Sequence, residues 1–358
     1  MNMEHINQLL ELAIEEKASD IHLKTDNPPV FRINGHLTRL DLPVLDNEGI
    51  ENFLADIVST KDMAKFTKLM ELDASYTLAG KARFRINACK EDSDCRVVLR
   101  LIPVNILSFQ DLELPEVLKP LTEHQNGLVL VTGPTGSGKS TSLAAMIDYV
   151  NSTRPEHIIT VEDPLEFLHG DKESLITQRA VGHDTLSFAN ALRGALRQDP
   201  DIILIGEMRD PETVSTAMSS AETGHLVFST LHTVSAAATI NRVLDFFEPH
   251  QQEQVRKQLG AVIRGILSQR ILPLIDGVGR CVAMEIMLGT RTVRDFITDG
   301  KPLKDLTRLI EESYDQYGMQ TFDQALYDHH QNNKISMEVA LSYATSSKDL
   351  KLRFQGLI

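Results

Sequence analysis

The residues with the clearest chemical reading are Gly133-Pro134-Thr135-Gly136-Ser137-Gly138-Lys139-Ser140-Thr141. Their order fits G-x-x-x-x-G-K-[ST], the phosphate-binding P-loop. Its glycines let the backbone turn sharply and aim N–H groups at phosphate oxygens. A helix starting at the loop adds the positive end of its dipole. In that chemistry Lys139 reaches the β and γ phosphates of ATP or a similar triphosphate, and Ser140 ligates Mg²⁺.

Carboxylates stand where such a loop needs them. The apolar run 158–161 is followed by Glu162 and Asp163, and the run 202–205 by Gly206 and Glu207. An acid at the end of an apolar strand polarises an attacking water or holds Mg²⁺ through water. Gly206 occupies the position where many P-loop enzymes carry aspartate. Two arrangements stay open: Glu207 serves both needs, or Glu162 and Asp163 share them. His225 and His232 flank the run 226–231. Each is either structural, satisfied by a backbone bond, or one of a pair that reports nucleotide state between sites.

Four arginines lie upstream. Arg83 and Arg85 are two apart and Arg96 and Arg100 four apart, so each pair shares one face of a strand. One reading is a solvated sheet face with screened charge. The other is a cationic set that meets a nucleotide phosphate or a neighbouring subunit. The remaining histidines show no metal spacing, and H-E-x-x-H is missing from the sequence.

The elements that must position these groups follow two grammars. From residue 127 strands and helices alternate, with strands expected at 127–132, 157–161, 201–205 and 224–231 and helices at 140–150, 187–198 and 211–222. That alternation predicts an α/β parallel sheet, with ligands at the carboxyl ends of its strands. Pro249 opens an expected long helix to about residue 272, striped by Val255, Leu259, Val262, Ile263, Ile266 and Leu267. A strand at 280–287 and helical pieces over 292–350 follow. Ahead of residue 103 the pattern is α+β. A helix spans 6–18 and a strand 19–23, and Asn34-Gly35 makes a hairpin of 30–33 and 36–40. Helices then fall at 46–58 and 61–70, and strands at 74–79, 82–89 and 95–101. Pro103, Pro115 and Pro120 mark 103–122 as a linker.

Bulk properties exclude several classes. The 358 residues suggest two or three domains, and 42% apolar with 24% charged residues is an ordinary globular balance. A net charge of −14 disfavours nucleic acid and anionic membranes as general partners. No apolar run reaches the ~18 residues of a membrane span. The opening residues lack a secretion-signal pattern. Three scattered cysteines, with no C-x-x-C, fit reduced cytoplasmic thiols rather than a zinc site.

Taken together, the chain resembles the type II/type IV secretion ATPase superfamily, and within it the pilus retraction motors of the PilT/PilU type. Ala18-Ser19-Asp20-Ile21-His22-Leu23 resembles the opening signature of the family's PAS-like N-terminal domain. Gly133–Thr141 is similar to its Walker A, 160–167 to its aspartate box, 192–210 to its Walker B region and 221–233 to its histidine box. The resemblance implies a RecA-like P-loop ATPase domain over 123–290, a smaller α+β PAS-like domain over 1–102 and a helical C-terminal region over 291–358. It gives Glu207 and Glu162 the catalytic glutamate roles, and His225 and His232 the histidine-box roles. Arginines from the stretch holding Arg83, Arg85, Arg96 and Arg100 would reach ATP. It also implies a homohexamer, cytoplasmic and peripheral at the inner membrane, that retracts a type IV pilus through the membrane platform protein. A paralogous retraction ATPase is a further expected partner.

Retraction motors carry A-I-R-N-L-I-R-E-G-K near the end. The matching stretch here is Thr292-Val293-Arg294-Asp295-Phe296-Ile297-Thr298-Asp299-Gly300-Lys301. It keeps Arg294, Gly300 and Lys301 but departs at Asp295, Phe296 and Thr298. Two alternatives therefore stand beside a retraction motor. One is an ATPase of a secretion, pilus assembly or DNA-uptake system, and the other is a low-activity PilU-type subunit regulating a partner motor.

Overall fold

The computed structural model describes residues 3–33, 35–78, 81–102, 106–277 and 279–357. Backbone contacts divide the chain into two compact units: Met1–Asn105 with Glu166–Leu168, and Ile106–Leu165 with His169–Ile358.

The smaller unit begins with α1 (Met3–Glu15), β1 (Asp20–Leu23), β2 (Val30–Ile33) and β3 (His36–Arg39). Helices α2 (Asn47–Ile57) and α3 (Thr60–Leu69) follow, then β4 (Glu71–Leu78), β5 (Ala82–Glu91) and β6 (Asp94–Ile102). The strands form a sheet ordered β3-β2-β1-β6-β5-β4, antiparallel at each pairing. Alternation decides its two faces. Along β5, Ala82, Phe84, Ile86 and Ala88 are buried while Arg85 and Asn87 are exposed. The buried face packs against Ile6 and Leu10 of α1 and Ile50, Phe53 and Leu54 of α2. Each fully buried phenylalanine there stabilises the unit by about 2–3 kcal/mol. Asp46 and Ser59 cap α2 and α3 by accepting from the Gly49 and Asp62 amides. The β2–β3 hairpin turns through Gly35 at φ +84°. Asn34 of the expected turn, Ala79 of the expected strand 74–79, and Pro103 lie outside the described residues.

In the larger unit α4 (Lys119–Thr122) leads into β7 (Gly127–Thr132), α5 (Lys139–Thr153), β8 (His157–Glu162) and β9 (Leu175–Ala180). Next come α6 (Phe188–Ala195), β10 (Ile202–Ile205), α7 (Pro211–Glu222), β11 (Leu226–Leu231), α8 (Ala236–Asp245) and α9 (Gln252–Val262). Strands β12 (Ile263–Pro273) and β13 (Arg280–Leu288) precede α10 (Arg291–Thr298), α11 (Leu306–Glu312) and α12 (Tyr314–Tyr317). The tail is α13 (Phe322–Gln331), α14 (Met337–Tyr343) and α15 (Ser347–Phe354). The sheet order is β13-β12-β7-β11-β10-β8-β9, parallel from β12 to β9, with β13 antiparallel at one edge.

Alternate residues of these strands feed two cores. Leu128, Leu130, Ile203 and Ile205 face Val214 of α7, Ile240 of α8 and Leu259 of α9. Val129, Val131, Ile202 and Leu204 face Leu143, Met146 and Ile147 of α5. The stretch expected as a linker supplies Phe109, Leu114, Leu118 and Leu121 to this second core.

The expected helix through 272 needs correction, because α9 stops at Val262 and the chain continues as β12. Ile263 and Ile266 enter one core and Leu267 the other. A strand buried on both faces carries apolar residues at positions that also suit a helical stripe. Two elements lay outside the sequence reading. Strand β9 is half-exposed and polar, Leu175-Ile176-Thr177-Gln178-Arg179-Ala180, and α8 is capped by Ser235.

Candidate active site

The P-loop joins β7 to α5, and its last glycine, Gly138, caps the helix at φ +84°. Lys139 is buried and folds back on the loop. Its Nζ donates to the carbonyl oxygens of Gly133 at 2.9 Å and Pro134 at 3.1 Å. Ser140 and Thr141 are half-buried in the first turn of α5. Pro134, Thr135 and Gly136 are exposed, and Ser137 is buried beneath them.

Strand β12 braces the loop from below. The Ser268 hydroxyl accepts from the Thr132 hydroxyl at 2.9 Å. The Gln269 side-chain amide donates to the Ser142 hydroxyl at 2.6 Å. These contacts were hidden from sequence reasoning because 263–272 reads as helix.

The parallel strands place the other groups along the same edge. Adjacent strands lie about 4.8 Å apart. In the order β7-β11-β10-β8, the P-loop, His232, Glu207 and Glu162 therefore follow one another across about 15 Å. Glu162 accepts from the Thr160 hydroxyl at 2.8 Å and is half-buried. Asp163 is exposed on the same loop. Thr230 on β11 donates to the Gly206 carbonyl at 2.6 Å, tying the turn before Glu207 to its neighbour strand.

Glu207 sits in an ion-pair cluster. Arg209 Nε is 2.6 Å from its Oε1, and Arg209 Nη2 donates to its Oε2 at 2.8 Å. Arg209 Nη1 lies 3.6 Å from Asp163, and His232 Nε2 lies 3.6 Å from Glu207 Oε2. The Arg209 guanidinium beside Glu207 holds its carboxyl below the usual range, against the opposing effect of burial, with His232 adding in the same direction. Arg209 escaped the sequence reading. Its signal is its place two residues past a strand-end acid. Asp210, in the same run, instead caps α7 by accepting from the Thr213 amide at 2.8 Å.

His225 is not brought to this edge. It precedes β11, at the amino end of a six-residue strand, so the P-loop end of the sheet is about 20 Å away. Its Nδ1 lies 3.0 Å from the Ser220 carbonyl, the backbone-satisfied arrangement.

The four arginines lie on the smaller unit's sheet, on the face opposite its core. Arg85 faces Arg100 directly across β5 and β6, while Arg96 pairs with Cys89 farther along. Arg100 Nε donates to buried Asp20 at 2.8 Å, and Arg83 donates to the Ser75 hydroxyl at 2.7 Å. Arg96 lies 3.5 Å from Glu91, and Arg85 4.0 Å from Asp73.

Hard oxygen donors suit Mg²⁺. The hydroxyl of Ser140 and the carboxylates of Glu162, Asp163 and Glu207 supply such donors at separate points along this edge. Among the described residues, no group of three or more His, Cys, Asp or Glu is arranged to hold a metal alone. A Mg²⁺ carried on a triphosphate needs only one or two protein ligands.

With this geometry in place, comparisons with known proteins become informative. The family model "Type II/IV secretion system protein" matches residues 2–322. The type IV pilus retraction ATPase PilT of Pseudomonas aeruginosa is 45% identical over 321 residues, covering 90% of this chain and 92% of that one. PilU of the same organism, a type IV pilus ATPase, is 39% identical over 345 residues, covering 96% and 90%. A crystal structure of the pilus retraction motor PilT with bound ADP superposes with a TM-score of 0.90 at 44% identity, covering 97% of this chain and 98% of that one.

Proposed function

The chain belongs to the type II/IV secretion system protein family, and on that footing we propose that it is an ATP-hydrolysing motor that retracts a type IV pilus. The observation that carries this reading is the row of P-loop, His232, Glu207 and Glu162 along one edge of one sheet. In the reaction, the N–H groups of the P-loop cradle the phosphates, and Lys139 exchanges its two carbonyl partners for β and γ oxygens. Glu207 holds a water in line with the γ-phosphorus. The new oxygen–phosphorus bond forms as the bond to the β–γ bridging oxygen breaks. ADP leaves with that oxygen, and the proton from water passes through Glu207 to solvent. Ser140, with Glu162, Asp163 and Glu207 directly or through water, would hold Mg²⁺, which neutralises charge on the β and γ oxygens.

The finer assignments belong to the same proposal. The larger unit is RecA-like and the smaller PAS-like. Arg83, Arg85, Arg96 and Arg100 are its candidate phosphate cations, with the facing pair Arg85 and Arg100 the best suited to share one phosphate. The protein acts as a homohexamer at the cytoplasmic face of the inner membrane, on the pilus platform protein. Among the described residues, no helix is long and apolar enough to cross a membrane.

Lys139→Ala is expected to abolish steady-state ATPase activity, and Glu207→Gln to keep ATP binding while losing turnover. Wild-type hydrolysis by Lys139→Ala would overturn the reading. Deleting the gene should leave excess pili that do not retract; absent pili would point to assembly instead. A PilU-type accessory role is the second reading, supported by the departures in 292–301 and the PilU match. Negligible ATPase activity of the isolated protein, with stimulation of a partner motor, would favour it.

A further inference from the structure

Arg209 is placed beyond what its pairing with Glu207 requires. Its side chain is 57% exposed, and it spans two carboxylates on the loops after different strands. The two-pronged pair with Glu207, itself 23% exposed, positions that carboxylate, but the contact to Asp163 is exposed on both sides at 3.6 Å and adds little to stability. Both oxygens of Glu207 face the guanidinium, at 2.6 and 2.8 Å. The third partner, Asp163 at 3.6 Å, belongs to the loop after β8. That strand lies on the side of β10 away from β7 and the P-loop. Glu207 is thus covered by a cation on the outer side of the site, which takes one acceptor position on each of its oxygens.

We propose that Arg209 is a further catalytic residue, which leaves Glu207 and Asp163 for the γ-phosphate when ATP fills the P-loop. This rests on the reading of Glu207 as the glutamate that holds water. The ends of β7 and β10 are two strand spacings apart, about 10 Å, and arginine is among the longest side chains at this edge. Its planar fork matches phosphate oxygens, and a γ-phosphate carries more charge than either carboxylate. The exchange does two things at once. It uncovers a Glu207 oxygen for water, and it sets a cation against the phosphoryl group as charge shifts during transfer. ADP has no γ-phosphate, so with ADP the guanidinium stays on Glu207 and no water is activated.

The test uses the full chain and measures binding of ADP and of a β,γ-imido ATP analogue, together with kcat, for wild type, Arg209→Gln and Arg209→Lys. In Arg209→Gln, analogue affinity relative to ADP should fall about tenfold or more, ADP binding should stay within about twofold, and kcat should fall about 100-fold. Arg209→Lys, which keeps a charge but not the fork, should recover part of both losses. A residue that merely positions Glu207 would lower kcat and leave the analogue-to-ADP ratio unchanged; that result overturns the proposal. It differs from failure of the underlying reading, in which Glu207→Gln would keep the kcat of wild type.

Discussion

A methyl group at Gly133 would sit 2.6 Å from the Gln269 carbonyl oxygen and press on the Ser137 hydroxyl, at a φ of +146°. Backbone strain of that kind costs about 1–3 kcal/mol, so Gly133→Ala should weaken ATP binding about tenfold or more. Gly182 is the control. It also has positive φ, +83°, but nothing lies within 4 Å of its added carbon. Gly182→Ala should leave nucleotide affinity unchanged in the same titration. A second residue sets acid sensitivity. Burial drives His169 down to about 4, and its Nδ1 is buried without a hydrogen-bond partner. Its folded value lies below the unfolded one, near 6.5, so in this window the unfolded chain binds the extra proton. Stability is lost as pH falls from about 6.5 towards 4 and is unaffected by this group above that window. Melting His169→Gln beside wild type should show a shallower decline between pH 6.5 and 4. The P-loop was legible because its chemistry is contiguous in the chain. Arg209 was not, because an exposed arginine near an acid is ordinary until its distances are known.

The elements divide along similar lines. Strands β7, β8 and β10 each bury an apolar run ended by glycine or acid, and β11 one ended by His232, so periodicity and punctuation agree. The antiparallel sheet of the smaller unit was equally legible, since one solvated face enforces alternation. Strand β12 failed that test because it begins at Ile263 directly after α9 ends at Val262, with no punctuation between, and its apolar residues continue the helical stripe. With it went the bonds that join Ser268 to Thr132 and Gln269 to Ser142, the residues on either side of the P-loop, 136 and 127 positions apart. Helix α10 shows what the unusual 292–301 stretch changes. Val293, Phe296 and Ile297 are buried, so the apolar positions of the helix persist. Asp295 is exposed and Thr298 half-buried. The departures alter the chemistry this helix presents far more than its packing.

At the scale of the whole molecule, the change of grammar between the α+β stretch and the alternating stretch, and the net charge of −14, were legible in the sequence. Which end of which strand carries chemistry was foreseeable where a motif ends a strand; that His225 and His232 flank one strand was legible too, and the structure adds the Ser220 carbonyl as the partner of His225. The position of β7 has one more consequence. Every residue of β7 is buried, with β11 and β12 hydrogen-bonded on either side. Its amide hydrogens have no local route to solvent, so their exchange with deuterium reports opening of the entire larger unit. Edge strand β9 exchanges far sooner. ADP held at 100 times its dissociation constant should slow exchange over β7 about 100-fold, while the smaller unit's exposed β3 keeps its rate. The segment that grips phosphate is moored to a fully buried interior strand, so mass-resolved exchange over 127–132 should give a readout of nucleotide occupancy without a label.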